Sequence, residues 1–300
     1  MSCTCCQTVV IERGAAETIR GLGGSRFQDC YTLGRMLGLG AYSIVRVAID
    51  LRTGESWACK YLQVSKEEHT LNGRLVKPRV RERLLQEISI MQTICHPHIV
   101  KFREYFEDEL GFYIVMEKAS GKNLLETLIQ RDDRKLSEPE VCCIAKQLLD
   151  VLGYLEERRI AHRDLKLENI VLNGTDVSDI KVVDFGLAAQ CSEHLIQRCG
   201  TFCYAAPEIL SEKSQQGYNA SCDLWSLGMV LFELLGGQNP LQNNEVDQVF
   251  DAIRREGFDL SSAPLTDVSE AAKDFLGKLL VVDPEERLSI SCAMAHPWVL

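Results

Sequence analysis

Nothing in this chain is apolar for long enough to cross a bilayer. The most hydrophobic run, Leu227 to Leu235, covers nine residues, whereas a spanning helix needs about 20, so no transmembrane segment is expected. Positive charge is also in short supply. The 33 Lys and Arg face 43 Asp and Glu, for a formal net charge of −10, and a surface built for nucleic acid carries the opposite sign. The first residues hold no apolar core of the kind a secretory leader needs. A disulfide framework is missing as well: the 13 cysteines are odd in number and irregularly spaced, and a chain of 300 residues has core enough to need none. Reduced thiols in the cytoplasm are the expectation. What remains, 46% hydrophobic and 25% charged residues, suits a globular protein of one or two domains.

What is present converges on one octapeptide, His162-Arg163-Asp164-Leu165-Lys166-Leu167-Glu168-Asn169. It sets Asp, Lys and Asn at positions n, n+2 and n+5. A carboxylate can accept the proton of an attacking hydroxyl and hold its oxygen in line. An ammonium two residues on can neutralise charge on a moving phosphoryl group, and an amide can ligate a hard cation. Fifteen residues after Asn169 comes Asp184-Phe185-Gly186, at the end of the run Ile180 to Val183. That reads as a metal-binding carboxylate closing a buried strand.

Upstream lies a glycine-containing turn between two strand-like runs, Leu37-Gly38-Leu39-Gly40-Ala41-Tyr42-Ser43-Ile44-Val45. Val45, Val47 and Ile49 alternate, and Trp57 to Leu62 makes a further strand that carries Ala58 and Lys60. Pro78 introduces a helix on which Leu84, Ile88 and Met91 form an apolar stripe, with Glu87 beside it. Val141, Ile144, Leu148, Leu152 and Leu155 trace another helix, and Asp223 to Gly236 is apolar nearly all round, the mark of a helix buried on every side.

In this order and spacing the chain resembles a eukaryotic protein kinase from about Tyr31 to Trp298. The resemblance implies an α+β, bilobal fold. A small lobe would hold a five-stranded antiparallel sheet and one main helix, a larger lobe would be mainly helical, and ATP would lie between them with Mg2+. It implies that Leu37, Gly38, Leu39, Gly40, Ala41, Tyr42 and Ser43 form the phosphate loop, with Ser43 where the family often has a third glycine. Val45 and Ala58 would cover the adenine and Val171 would join the nucleotide contacts. Met116 would stand as gatekeeper, with Glu117 and Ala119 offering hinge backbone groups. Lys60 would reach the α- and β-phosphates and pair with Glu87. Asp164 would act as base, Lys166 would steady the phosphoryl group, and Asn169 with Asp184 would hold magnesium. Asp223 would tie to the catalytic-loop backbone, and Glu208 of Ala206-Pro207-Glu208 would pair with the distant Arg287. Lys166 and Gly200-Thr201 are the serine/threonine-type choices. Leu234-Leu235-Gly236-Gly237 and Phe250-Asp251-Ala252-Ile253 look most like the calcium/calmodulin-dependent and AMP-activated branch.

Several segments depart from that pattern. Asn123 stands where relatives that select upstream basic residues carry an acid, leaving Glu168 or Glu126 for that contact. The usual phosphothreonine position of the activation loop holds Gln197, followed by Arg198. Ser192 could take the phosphate instead, or the loop could be ordered without one, with Glu193 as partner for Arg163; the second route is the expectation, and Thr201 is expected to face Asp164. The stretch between Tyr61 and Pro78 reads as a polar loop without function. Residues 1 to 28, with Cys3, Cys5 and Cys6, read as a disordered tail before a domain at 29–300, split into lobes at about 117/118. S-acylation of that cysteine cluster is the sharper alternative, and Ser2 excludes the N-myristoylation motif. No calmodulin-target helix or EF-hand follows Trp298, which for a whole chain would leave regulation to a partner. Two rival readings share some residues. A non-catalytic kinase-like scaffold usually lacks the lysine or one aspartate, and Lys60, Asp164 and Asp184 are all present. A small-molecule phosphotransferase rarely keeps an Ala-Pro-Glu platform for protein substrates.

Overall fold

The computed structural model describes residues 26–40, 43–63, 70–71, 74–75, 77–108, 111–191, 195, 199–210, 218–241, 258–262 and 264–300. The cysteine cluster of the first residues, Ala41 and Tyr42, the Lys66–His69 run, Ser192, Glu193, Gln197, Arg198 and Phe250–Ile253 lie outside them.

Strands β1 (Tyr31–Leu39), β2 (Ile44–Asp50) and β3 (Ser56–Gln63) lead the chain. Later come β6 (Phe102–Asp108) and β7 (Gly111–Met116). Together they form one sheet in the order β1-β2-β3-β7-β6, with every neighbouring pair antiparallel. The alternation in these strands sends successive residues to opposite faces. Ala58, Leu62, Phe112, Ile114 and Met116 join the main core with the helix. Cys59, Tyr113 and Val115 face the other way, onto a second cluster. That second face is covered from before the sheet begins. Phe27 opens the short helix α1 (Phe27–Cys30) and is buried against Tyr31, Phe106 and Tyr113. Residues 27 and 28, grouped with the tail on sequence, therefore belong to a packed element.

Helix α2 (Lys77–Thr93) buries Leu84, Ile88 and Met91 as its periodicity requires. The stretch before it is not all loop. Strands β4 (Thr70–Leu71) and β5 (Arg74–Leu75) pair antiparallel in a two-stranded ladder of their own. Two-residue strands carry no readable alternation, and the Asn-Gly dipeptide between them, a favoured hairpin sequence, is the signal that the loop reading passed over.

The larger lobe is built on α3 (Leu124–Ile129), α4 (Glu138–Glu157) and α6 (Ser221–Gly236). Val141, Ile144, Leu148, Leu152 and Leu155 of α4 are all buried, and so is every residue of α6 from Cys222 to Gly236. Between them run β8 (Ile160–Ala161), a 3-10 turn (Leu167–Asn169), β9 (Ile170–Leu172), β10 (Ile180–Val182), β11 (Ala189–Gln190) and the short helix α5 (Pro207–Leu210). Helices α7 (Glu270–Leu279) and α8 (Ile290–Met294) follow. No helix among the described residues is long and apolar enough to cross a membrane.

Candidate active site

The loop His162–Lys166 leaves β8, which β11 pairs antiparallel. Its backbone hangs on one buried carboxylate. Asp223, in the first turn of α6, accepts the His162 N–H at 2.7 Å and the Arg163 N–H at 2.8 Å. Burial raises the Asp223 pKa, while His162 and the two backbone donors oppose the rise. Arg163 sits at φ 67° and Asp184 at φ 62°, a left-handed conformation that costs a residue with a Cβ on the order of 1 kcal/mol or more. Both positions are held by several bonds at once, which is how such strain persists at a site. His162 packs edge-on against Phe185, ring centroids 4.8 Å apart.

Asp164 is the centre of the polar network. Thr201 donates to its Oδ1 from the backbone N–H at 2.9 Å and from the hydroxyl at 2.7 Å. Lys166 Nζ stands 2.8 Å from Asp164 Oδ2 and donates to Thr201 Oγ1 at 2.7 Å. Asn169 turns its amide nitrogen to the Asp164 carbonyl at 2.8 Å and to Oδ2 at 3.0 Å. Its amide oxygen is thereby the end left for a cation. Thr201 faces Asp164 as the sequence led us to expect.

Opposite this loop, Lys60 bridges two carboxylates: Glu87 Oε1 at 2.7 Å and Asp184 Oδ1 at 2.8 Å. Glu87 is only 3% exposed. Burial favours a neutral lysine, but the two carboxylates outweigh it and raise the Lys60 pKa. Burial also raises Glu87. For Asp184 the Lys60 charge and hydrogen bond, with the Gly186 N–H, overcome burial and keep it below the ordinary carboxylate value. Strand register sets the neighbours: Val45 lies opposite Lys60, and Ala58 opposite Met116. Gly38 pairs Val45 and Leu39 pairs Ile44 at the mouth of the turn, where the Gly40 N–H reaches the Ser43 carbonyl at 2.8 Å. Leu37 and Leu39 are exposed.

The segment after β7 carries Glu117, Lys118 and Ala119. Glu117 is anchored on both carboxylate oxygens, by Lys181 Nζ at 2.8 Å and by the Lys101 N–H at 3.0 Å. Lys181 pairs Val171 across β9 and β10, so the half-buried Val171 and this segment share a support. No spacing or motif points to the Lys181 contact. Asn123 is the N-cap of α3: its side chain accepts the Glu126 N–H at 2.8 Å, and the Glu126 carboxylate accepts the Asn123 N–H at 3.2 Å. Glu168 is exposed.

The stretch from Tyr204 to Glu208 is tied to residues much later in the chain. Arg287 donates to Glu208 at 2.7 and 3.0 Å in a two-pronged pair, and to the carbonyls of Ser221 and Val281. Tyr204 donates to Glu233 at 2.6 Å, and Asn239 donates to the same oxygen at 3.1 Å. Arg163 finds a partner that sequence reading missed: besides the Leu187 carbonyl, its guanidinium donates to the Tyr218 hydroxyl. The Glu208–Arg287 pair is the one the resemblance led us to expect; the Tyr204 and Tyr218 contacts join residues far apart in sequence, and no spacing rule points to them.

Taken together, the geometry places a buried lysine–carboxylate bridge and a carboxylate–lysine–amide cluster on two faces of one site. That arrangement suits binding of a polyanion and deprotonation of a hydroxyl. Comparison with known proteins agrees in outline. A family model described as the protein kinase domain matches residues 31–299. Serine/threonine-protein kinase 33 of Mus musculus is 34% identical over 95% of this chain and 58% of its own length. A probable serine/threonine-protein kinase, fhkC, of Dictyostelium discoideum is 32% identical over 98% of this chain and 50% of its own. Myosin light chain kinase A of Dictyostelium discoideum is 31% identical over 91% of this chain and 88% of its own. The chain thus spans 58% and 50% of the length of the first two of these relatives.

Proposed function

The chain belongs to the protein kinase domain family, and from that premise we propose that it transfers the γ-phosphoryl group of ATP to serine or threonine hydroxyls of proteins. The observation that carries this reading is the Asp164–Thr201–Lys166 cluster, joined through Asn169 and the Val183 N–H to the strand end that carries Asp184 and, with it, the Lys60–Glu87 bridge. Asp164 orients the acceptor hydroxyl and takes its proton. Lys166 neutralises charge on the transferred group, and Lys60, aimed by Glu87, holds the α- and β-phosphates. Leu37 to Ser43, of which Ala41 and Tyr42 lie outside the described residues, Val45, Ala58, Met116, the backbone of Glu117 and Ala119, and Val171 would enclose the nucleotide.

Among the described residues no cluster of three or more His, Cys, Asp or Glu is arranged to hold a metal alone. One carboxylate, Asp184, and the free amide oxygen of Asn169 instead suit a cation that completes its shell with water and phosphate oxygens, the habit of Mg2+. Bound there, magnesium would screen the phosphate charges.

Finer features belong to the same proposal. The chain sits in the calcium/calmodulin-dependent and AMP-activated branch, and its domain, expected over 29–300, takes in α1 from Phe27 as well, with lobes meeting near 117/118. It works in the cytoplasm on protein substrates, with a regulatory partner, and the Cys3-Cys5-Cys6 cluster is a candidate for S-acylation. The complete set Lys60, Asp164 and Asp184 favours catalysis over scaffolding.

The test is transfer of labelled phosphate from Mg-ATP to generic serine peptides. Asp164→Asn should lower kcat by several orders of magnitude with little change in ATP affinity, and Asp184→Ala should weaken Mg-ATP binding itself. An Asp164→Asn protein that phosphorylates peptide at the wild-type rate would overturn the assignment.

A further inference from the structure

Arg163 touches both ends of the segment that follows Gly186. Its Nε donates to the Leu187 carbonyl at 2.6 Å, at the start. At the far end stands Gly200, at φ 94°, where a Cβ would come within 2.6 Å of the Arg163 carbonyl oxygen. The backbone there lies flat on Arg163, and only glycine fits. The next residue is Thr201, which makes both donations to Asp164.

Tyr218 closes the arrangement from outside the segment. Its hydroxyl accepts from Arg163 NH1 at 3.0 Å and lies 3.6 Å from Cys199 Sγ. Its backbone exchanges two hydrogen bonds with Leu195, at 2.9 and 3.1 Å. The ring is buried, at 4% exposure. Burial, against the pull of Arg163, raises the hydroxyl's pKa far above the ordinary tyrosine value, so it meets the guanidinium as a neutral acceptor.

We propose that Tyr218 is a positioning residue. Resting on the reading of the chain as a protein kinase, its hydroxyl holds Arg163, and through it Leu187 and Gly200, while its backbone holds Leu195, so that Thr201 stays on Asp164 and the peptide side of the site keeps its shape. Removing the hydroxyl strands a buried guanidinium donor, and such a donor resists any geometry that leaves it unmet. Among the described residues, the hydrogen bonds and ion pairs of Lys60 and Glu87 on the nucleotide side run to each other and to Asp184, not to Tyr218.

The experiment pairs kinetics with amide hydrogen exchange on Tyr218→Phe, Arg163→Met and the double variant. Tyr218→Phe should lower kcat/KM for peptide about tenfold, the scale of one buried unmet donor, while KM for ATP stays within about twofold of wild type. In the Arg163→Met background the same change should cost little, because the two side chains act as one unit. Amides of Leu195 and Thr201 should exchange faster in Tyr218→Phe, and that of Ile114 in the sheet should not. Wild-type peptide kinetics with unchanged exchange would overturn the proposal. So would an equal rise in both KM values, or a Tyr218→Phe effect that persists undiminished after Arg163→Met. Exchange that responds as expected in a chain that phosphorylates no peptide would keep the positioning role and overturn the kinase reading instead.

Discussion

Asn123 serves two roles with one side chain. As a neutral amide at the place of an acid it leaves no charge there for a substrate arginine. As the N-cap of α3 it satisfies the Glu126 N–H. The Asn-x-x-Glu spacing ahead of an apolar run is a capping-box signature, so the cap was legible in the sequence. Reading Asn123 only as a missing acid overlooked it. The box also engages Glu126, which leaves the exposed Glu168 as the freer of the two acids expected to select basic residues. Asn123→Asp should keep the cap and strengthen preference for arginine three residues before the acceptor by ~0.5–1.5 kcal/mol, the worth of a partly exposed charge-assisted contact. Asn123→Glu should gain the same preference while losing roughly 1 kcal/mol of stability with the cap. Ratios of kcat/KM on paired Arg and Ala peptides, with a denaturation midpoint for each variant, separate the two effects. A strong arginine preference already in the wild type would assign the selection to Glu168 or another acid.

At the scale of elements, what could be read followed from periodicity. The alternation in β2 and β3, the Leu84-Ile88-Met91 stripe of α2 and the all-round apolar α6 each announced an element and its buried face. Helix α1 did not, because four residues with one large apolar side chain carry no period. Its worth comes from the aromatic pocket that Tyr31, Phe106 and Tyr113 assemble from three strands. Phe27→Ala should therefore cost about 3 kcal/mol of stability, read from the chemical-denaturation midpoint, with ATP affinity preserved. A loss under about 1 kcal/mol would mean that α1 is marginal to the sheet. The segment after Gly186 is the other element where sequence reading stopped short. Glu193, the partner suggested for Arg163, lies outside the described residues; among the described residues Leu187 and Tyr218 supply acceptors for Arg163. With Arg163 so engaged, phosphatase-treated protein should keep its activity and Ser192→Ala should change it little. A large loss in either assay would mean that a loop phosphate is needed.

Across the whole molecule, the core network concentrates acids where water is scarce, and this sets a pH response. Burial raises the Glu233 pKa above the ordinary 4.5, against the bonds from Tyr204 and Asn239. The folded chain then binds this proton more tightly than the unfolded chain does. The contribution of Glu233 to stability is greatest below 4.5 and falls as pH rises through the raised native value. Glu233→Gln removes that titration, so the variant's melting temperature relative to wild type should climb as pH rises through this window. A difference that stays constant with pH would show that Glu233 titrates normally. Such coupling was illegible in the sequence because it depends on burial at α6 and on Tyr204, 29 residues away.

The Glu208–Arg287 pair also has a bearing on the order in which a newly made chain matures. Its two halves are separated by 79 residues, and synthesis delivers the carboxylate first. Until Arg287 emerges, a nascent chain can complete the sheet, α2 and the Lys60–Glu87 bridge, all of which come from earlier residues. Glu208 has no such counter-charge at that stage, and a carboxylate without one resists being buried. Folding that proceeds from the N-terminus would thus assemble the nucleotide side before the peptide side, and a ribosome-bound intermediate could hold ATP before it could present a protein hydroxyl to it.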